Sequence, residues 1–146
     1  MRINFQIDPG LVEHYRARAP RILVGMNLEH GGTYYPSEEW LDFGGIVLGW
    51  WLMAFAKLRG GEEPQCLCFM DGPYELVVRT VEHMLVLRSD DNSIEWRVDV
   101  DEFEHELLRA SELAIEAFRE HGVAEVSDTL ELGVRELRQL QASRSQ

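Results

Sequence analysis

Lysine is almost missing from this chain. Lys57 is its only example, against thirteen arginines. That lopsided use of arginine points to a GC-rich bacterial genome as the source. Positive charge of either kind is scarce, with 14 basic against 26 acidic side chains and a formal net charge of −12. A polyanion is repelled by phosphates, which argues against nucleic acid and anionic membranes as partners and favours basic proteins. Cysteine is limited to Cys66 and Cys68. Two thiols cannot build the usual paired zinc site, and neither pair spacing nor context fits a Cys-x-x-Cys redox motif. Long apolar runs are lacking too. The stretch Phe43 to Ala56, FGGIVLGWWLMAFA, is uncharged for fourteen residues, whereas a bilayer span needs about twenty. Asp42 precedes it and Lys57 and Arg59 follow, so a buried core helix is expected there. The N-terminus MRINFQIDPG alternates apolar and polar residues and has no signal-peptide core, which predicts a cytoplasmic protein.

What is present reads as one α+β domain over residues 1–146, with a tail frayed from about residue 141. Its length is sufficient for a single hydrophobic core. Ile3, Phe5 and Ile7 share one side of a first strand that stops at Pro9-Gly10. Leu11 to Ala19 fits either a strand or a short helix. Ile22, Val24, Met26 and Leu28 then alternate along a second strand ending at His30-Gly31-Gly32. Tyr34-Tyr35-Pro36 suits an edge strand, where proline need not donate to a ladder. Ser37 is placed as the N-cap of a helix running to Leu58, with Glu38 and Glu39 in its first turn. Adjacent Trp50 and Trp51 predict that this helix is covered on most sides. From Cys66 to Val100, four short strands separated by tight turns form an antiparallel meander. Asp99 and Glu102 have capping-box spacing, with Val98 and Phe103 as the staple, and open a helix that Gly122 ends. A last helix aligns Val126, Leu130, Val134, Leu137 and Leu140. The expected architecture is thus an antiparallel meander sheet packed against a central apolar helix and two C-terminal helices.

The chemistry-bearing residues are sparse. Cys66 and Cys68 point to one face of a strand and are expected to be reduced, buried and metal-free. Asp71-Gly72-Pro73 is expected to be a hairpin corner with glycine at positive φ. The five histidines are dispersed, and no nucleophile elbow, phosphate-cradling loop or zinc-protease motif occurs. No cofactor or metal is implied. Asp42 is the most conspicuous lone acid and is assigned to the first turn of the central helix. The helix after Asp99 has a clear division: Phe103, Leu107, Ala110, Ala114 and Phe118 on one side, and Glu102, Glu106, Glu112, Glu116 and Glu120 on the other. Leu113 projects into that acidic stripe as an apolar point with an anionic rim, a pattern suited to anchoring a cationic partner.

The Tyr-Pro segment, WLDF opening a Trp-containing apolar run, FMDGPYEL entering a meander and WRVDVDEF entering an acidic helix together resemble small bacterial α+β proteins, some associated with toxin immunity. The resemblance spans residues 22 to 120 and carries no site residues with it. Acidity, the lack of a catalytic constellation and the stripe predict a non-enzymatic interaction protein, with Glu102, Glu106, Leu113, Glu116 and Glu120 as the binding set. The resemblance implies an inhibitor of a basic protein as its specific form. The competing reading is an enzyme or small-molecule binder whose pocket lies between sheet and helices, lined by Tyr34, Tyr35 and Trp40 with Asp42 or Asp71 as the acid. A homodimer through the aromatic segment around Trp40 is a third reading.

Overall fold

Residues 1–145 are described by a computed structural model. In chain order they form β1 (Arg2–Gln6), α1 (Pro9–Tyr15) with a 3-10 turn at Arg16–Arg18, β2 (Leu23–His30), β3 (Thr33–Tyr35), β4 (Leu41–Phe43), α2 (Gly44–Arg59), β5 (Gln65–Cys68), β6 (Glu75–Val81), β7 (Met84–Ser89), β8 (Glu95–Asp99), α3 (Val100–Glu120) and α4 (Ala124–Arg144). The class is α+β, but the strands make two antiparallel four-stranded sheets rather than one. In the first, β2 is central: β1 pairs along one edge, while β3 and β4 pair with successive stretches of β2, Leu28–His30 and Leu23–Gly25. The second is the expected meander, β5-β6-β7-β8.

Alternation sets the inward faces. Ile22, Val24, Met26 and Leu28 are all fully buried, as the period of two requires. Leu67, Leu76, Val78, Leu85 and Leu87 do the same for the meander. Helix α2 packs against strands of both sheets, with Trp51, Leu52 and Phe55 buried, and one continuous apolar cluster joins both sheets to α2, α3 and α4.

The start of α2 differs from the expectation. Ser37 caps nothing; Leu41, Asp42 and Phe43 pair with Gly25, Val24 and Leu23, and the Met26 N–H donates to the Trp40 carbonyl. Strand pairing therefore takes the residues assigned to the first helical turns. The helix starts where glycine becomes obligatory: a Cβ on Gly44 would come within 2.4 Å of Val24, and one on Gly45 within 2.2 Å of Val126. As expected, α2 is covered on most sides; only one stripe of it, Trp50, Met53 and Lys57, is exposed.

Asp99 does cap α3, accepting from the N–H groups of Asp101 and Glu102, with Val98 and Phe103 buried beside it. Gly122, at φ +75°, ends the helix. The following helix continues to Arg144, past the expected fraying point. It is held there by Glu104, a buried carboxylate that accepts from Gln141 Nε2 at 3.2 Å and from Arg144. No helix of the described residues is long and apolar enough to cross a membrane.

Candidate functional site: the outer ridge of α3 and the valley beside it

Helix α3 lies along β1, the edge strand of the first sheet. An edge strand exposes unpaired backbone groups, and here side chains satisfy them. The Ile3 N–H donates to Glu106 Oε2 at 2.7 Å, and Arg109 Nη2 donates to the Ile3 carbonyl at 3.1 Å. Arg109 also grips Glu106 through Nε and Nη2 at 2.7 and 2.6 Å. Burial works against ionisation of Glu106, yet Arg109 and the Ile3 amide together outweigh it and hold the carboxyl below the ordinary glutamate range. Glu106 is thus buried and structural. It is not the exposed steering charge that helical spacing suggested.

The rest of the stripe remains outside. Glu102, Glu116 and Glu120 are exposed and have no ion-pair partner among the described residues. Glu112 pairs with Arg138, and Arg119 with Glu131, so these residues fasten α3 to α4. Leu113 is 44% exposed. It lines an open depression of about 440 Å³ whose other wall is the outward face of the first sheet, with Asn4, Asn27, Glu29, Tyr34 and Glu38. The polar groups there are engaged with one another. Asn4 Nδ2 donates to Asn27 Oδ1 at 2.9 Å and Glu29 Oε1 at 3.1 Å, and Asn27 Nδ2 donates to the Glu38 carbonyl at 3.0 Å. The Glu29 carboxylate raises the Tyr34 hydroxyl above its usual pKa.

One residue of each expected set therefore shares a single valley: Leu113 of the partner-binding set and Tyr34 of the alternative pocket. The other pocket residues fill space elsewhere. Tyr35 is buried; its hydroxyl accepts the Glu75 N–H and donates to the Glu75 carbonyl, both at 3.1 Å. Trp40 meets Tyr74 edge-on, with centroids 5.0 Å apart, and Tyr74 in turn meets Tyr35. Asp42, fully buried, lies in β4 instead of a helical turn. It accepts from Trp40 Nε1 (2.9 Å) and from the backbone N–H groups of Phe43 (2.7 Å), Met70 (3.2 Å) and Asp71 (3.1 Å). Asp42 is the polar rivet between the two sheets. Asp71 is exposed and contributes only its N–H to that rivet.

No family model, curated protein or solved structure matches the chain.

The Asp-Gly-Pro corner departs from the positive-φ expectation, because Gly72 has no positive φ. Space selects it: a Cβ there would come within 2.9 Å of the Trp40 ring. The cysteines also differ from expectation. Both are free, but Cys66 is exposed and Cys68 half-buried, since the inward position of β5 is taken by Leu67. Partial desolvation, reinforced by Glu75, raises both thiols, Cys68 to about 11.

Sequence reasoning missed the valley's sheet wall. Arg2, Asn4 and Gln6 are the polar counterphase of Ile3 and Phe5, a legible signal, but only the β1–β2 register sets Asn4 opposite Asn27. It also missed a surface cluster in which His83 Nε2, at the β6–β7 turn, stands 2.9 Å from Asp101 Oδ2 and 3.4 Å from Asp99 Oδ2. Those carboxylates have other partners: Asp101 Oδ1 accepts from Arg59 at 2.9 Å, and Asp99 Oδ1 caps α3.

Proposed function

We propose that the chain is a non-enzymatic interaction protein that binds a basic protein over the α3 ridge and the adjoining valley. Within that class, an immunity-type inhibitor of a basic toxin in the bacterial cytoplasm is the specific form we favour. The observation that carries the reading is the exposure of Leu113. A large apolar side chain stands in a valley with Glu29 and Glu38, while Glu116 and Glu120, one and two turns further along the same helix, are exposed and have no ion-pair partner among the described residues. Such an arrangement supplies a desolvatable anchor with anionic steering around it. The net charge of −12 attracts a cationic partner at long range, and the ion-paired Arg109 does little to weaken that attraction locally. The mutual engagement of Asn4, Asn27 and Glu29 supports a preformed binding wall more than a reaction centre.

Affinity capture from the organism that encodes the chain tests this with two baits, the unmodified protein and a Leu113→Asp, Glu116→Lys, Glu120→Lys variant. A basic protein enriched on the first bait and lost from the second is the expected result. Equal enrichment on both would remove the ridge from consideration.

A further inference from the structure

We infer that a second copy of this chain docks on the groove between α2 and α4, forming a two-fold dimer in solution. The groove, about 390 Å³, contains Trp50, Met53 and Leu132, three of the nine large hydrophobic residues exposed among the described residues. Helix α2 is apolar nearly all round, a composition suited to a helix buried on every side, yet its outer face meets solvent in the single chain. The floor is kept low by small residues: nothing lies within 4 Å of a Cβ built at Gly49, and Gly133 lets α4 approach Leu52 closely.

The occupant follows from charge and shape. Among the described residues Glu136 is the only charged one lining the groove, so the acidity that would draw a basic partner is not focused there. The groove is instead self-complementary. Gly45 packs on Val126 and Gly133 on Leu52, which means α2 and α4 run in the same direction. Pro20 lines the groove, with the exposed Arg21 next to it and the exposed Arg18 two residues before it, and the Leu23–Phe43 pairing sets this segment near the start of α2; Glu136 lines the groove further along α4, beyond Gly133. None of the ion pairs of the described residues involves these three charged groups. A two-fold axis across the groove sets the two helix pairs antiparallel, brings Arg21 of one protomer toward Glu136 of its partner, and lays each Trp50 toward the other copy's Gly49 dip.

Sedimentation velocity from about 1 μM to about 100 μM, a range that brackets a micromolar dimer, tests the inference. The expected mass rises to about twice 16.9 kDa. Trp50→Glu and Leu132→Glu, both at exposed positions, should hold the chain at monomer mass across the range. Leu113→Glu should dimerise like the unmodified chain, which separates this surface from the α3 ridge. Arg21→Glu and Glu136→Arg should each weaken the dimer at least about threefold, and their combination should restore it. The inference is overturned if the chain stays monomeric at the highest concentration, if the dimer persists in Trp50→Glu and Leu132→Glu, or if the paired charge exchange fails to restore it.

Discussion

The carboxylate of Glu106 accepts the backbone N–H of Ile3 at 2.7 Å, and Arg109, bonded to that same carboxylate, returns a hydrogen bond to the Ile3 carbonyl at 3.1 Å. Two side chains from one helical turn thus act as the missing neighbour of an edge strand. The arrangement locks α3 to the first sheet, and it fixes the position of Leu113 two turns along.

Replacing Glu106 by Gln should cost about 1 to 3 kcal/mol at neutral pH, because Arg109 loses its partner in a half-buried site. The folded-state carboxyl lies below its reference value of 4.5, so the stability it confers is complete above that value and is lost as pH falls through the folded one. Urea unfolding at about pH 7 and about pH 4 should therefore show a smaller acid-induced loss in Glu106→Gln than in the unmodified chain. Parallel losses in the two proteins would mean that the pair does not couple to folding.

Asp42 and Asp71 should respond oppositely to truncation. Asp42→Ala orphans the Trp40 indole N–H and three backbone N–H groups at a fully buried site, and should cost upwards of about 3 kcal/mol. Asp71→Ala leaves its own N–H in place and should stay within about 0.5 kcal/mol. Equal effects in chemical denaturation would contradict the rivet between the sheets.

The neighbouring tryptophans separate in the same way. Trp51 is fully buried and its Nε1 donates to the Cys68 carbonyl at 2.9 Å, so Trp51→Ala should cost about 3 to 5 kcal/mol. Trp50→Ala, measured at a concentration where the chain is monomeric, should cost less than about 1 kcal/mol.

These contrasts show how far the sequence could be read. The period of two placed Ile22, Val24, Met26 and Leu28 correctly, and the Asp99 cap with its Val98–Phe103 staple was equally legible, because both are local patterns with one physical solution. The beginning of α2 was not legible. Ser37, Glu38 and Glu39 have good capping chemistry, yet pairing of Leu41–Phe43 with β2 overrides it, and that pairing is a long-range fact. Glu106 fell on the correct helix face and into the wrong role. Helical spacing shows which residues share a side; it does not show that an edge strand needs a carboxylate there. The valley was half legible, Leu113 from the stripe and Tyr34 from the aromatic segment, while Asn27 and Glu29 required the strand register.

The thiols give a further check. Desolvation raises both, Cys68 to about 11, so little thiolate exists at neutral pH and alkylation by iodoacetamide should be slow for both cysteines. Cys66, the exposed one, should react first, and both rates should climb steadily above about pH 8. Fast modification of Cys68 at neutral pH, read by mass spectrometry of peptides, would contradict the assigned environment.

The central claim, docking of a basic protein on the α3 ridge, is tested most directly by association and dissociation kinetics of the captured partner at two ionic strengths. The unmodified chain is compared with Glu116→Lys/Glu120→Lys and with Leu113→Ala. Reversing the two exposed charges should slow association about tenfold at low salt and flatten its salt dependence, with folding unchanged. Leu113→Ala should leave association nearly intact and speed dissociation about fivefold or more, as truncation of a desolvated anchor does. A partner that binds all three proteins with the same rates at both salt concentrations would contradict the account and place its site elsewhere on the molecule.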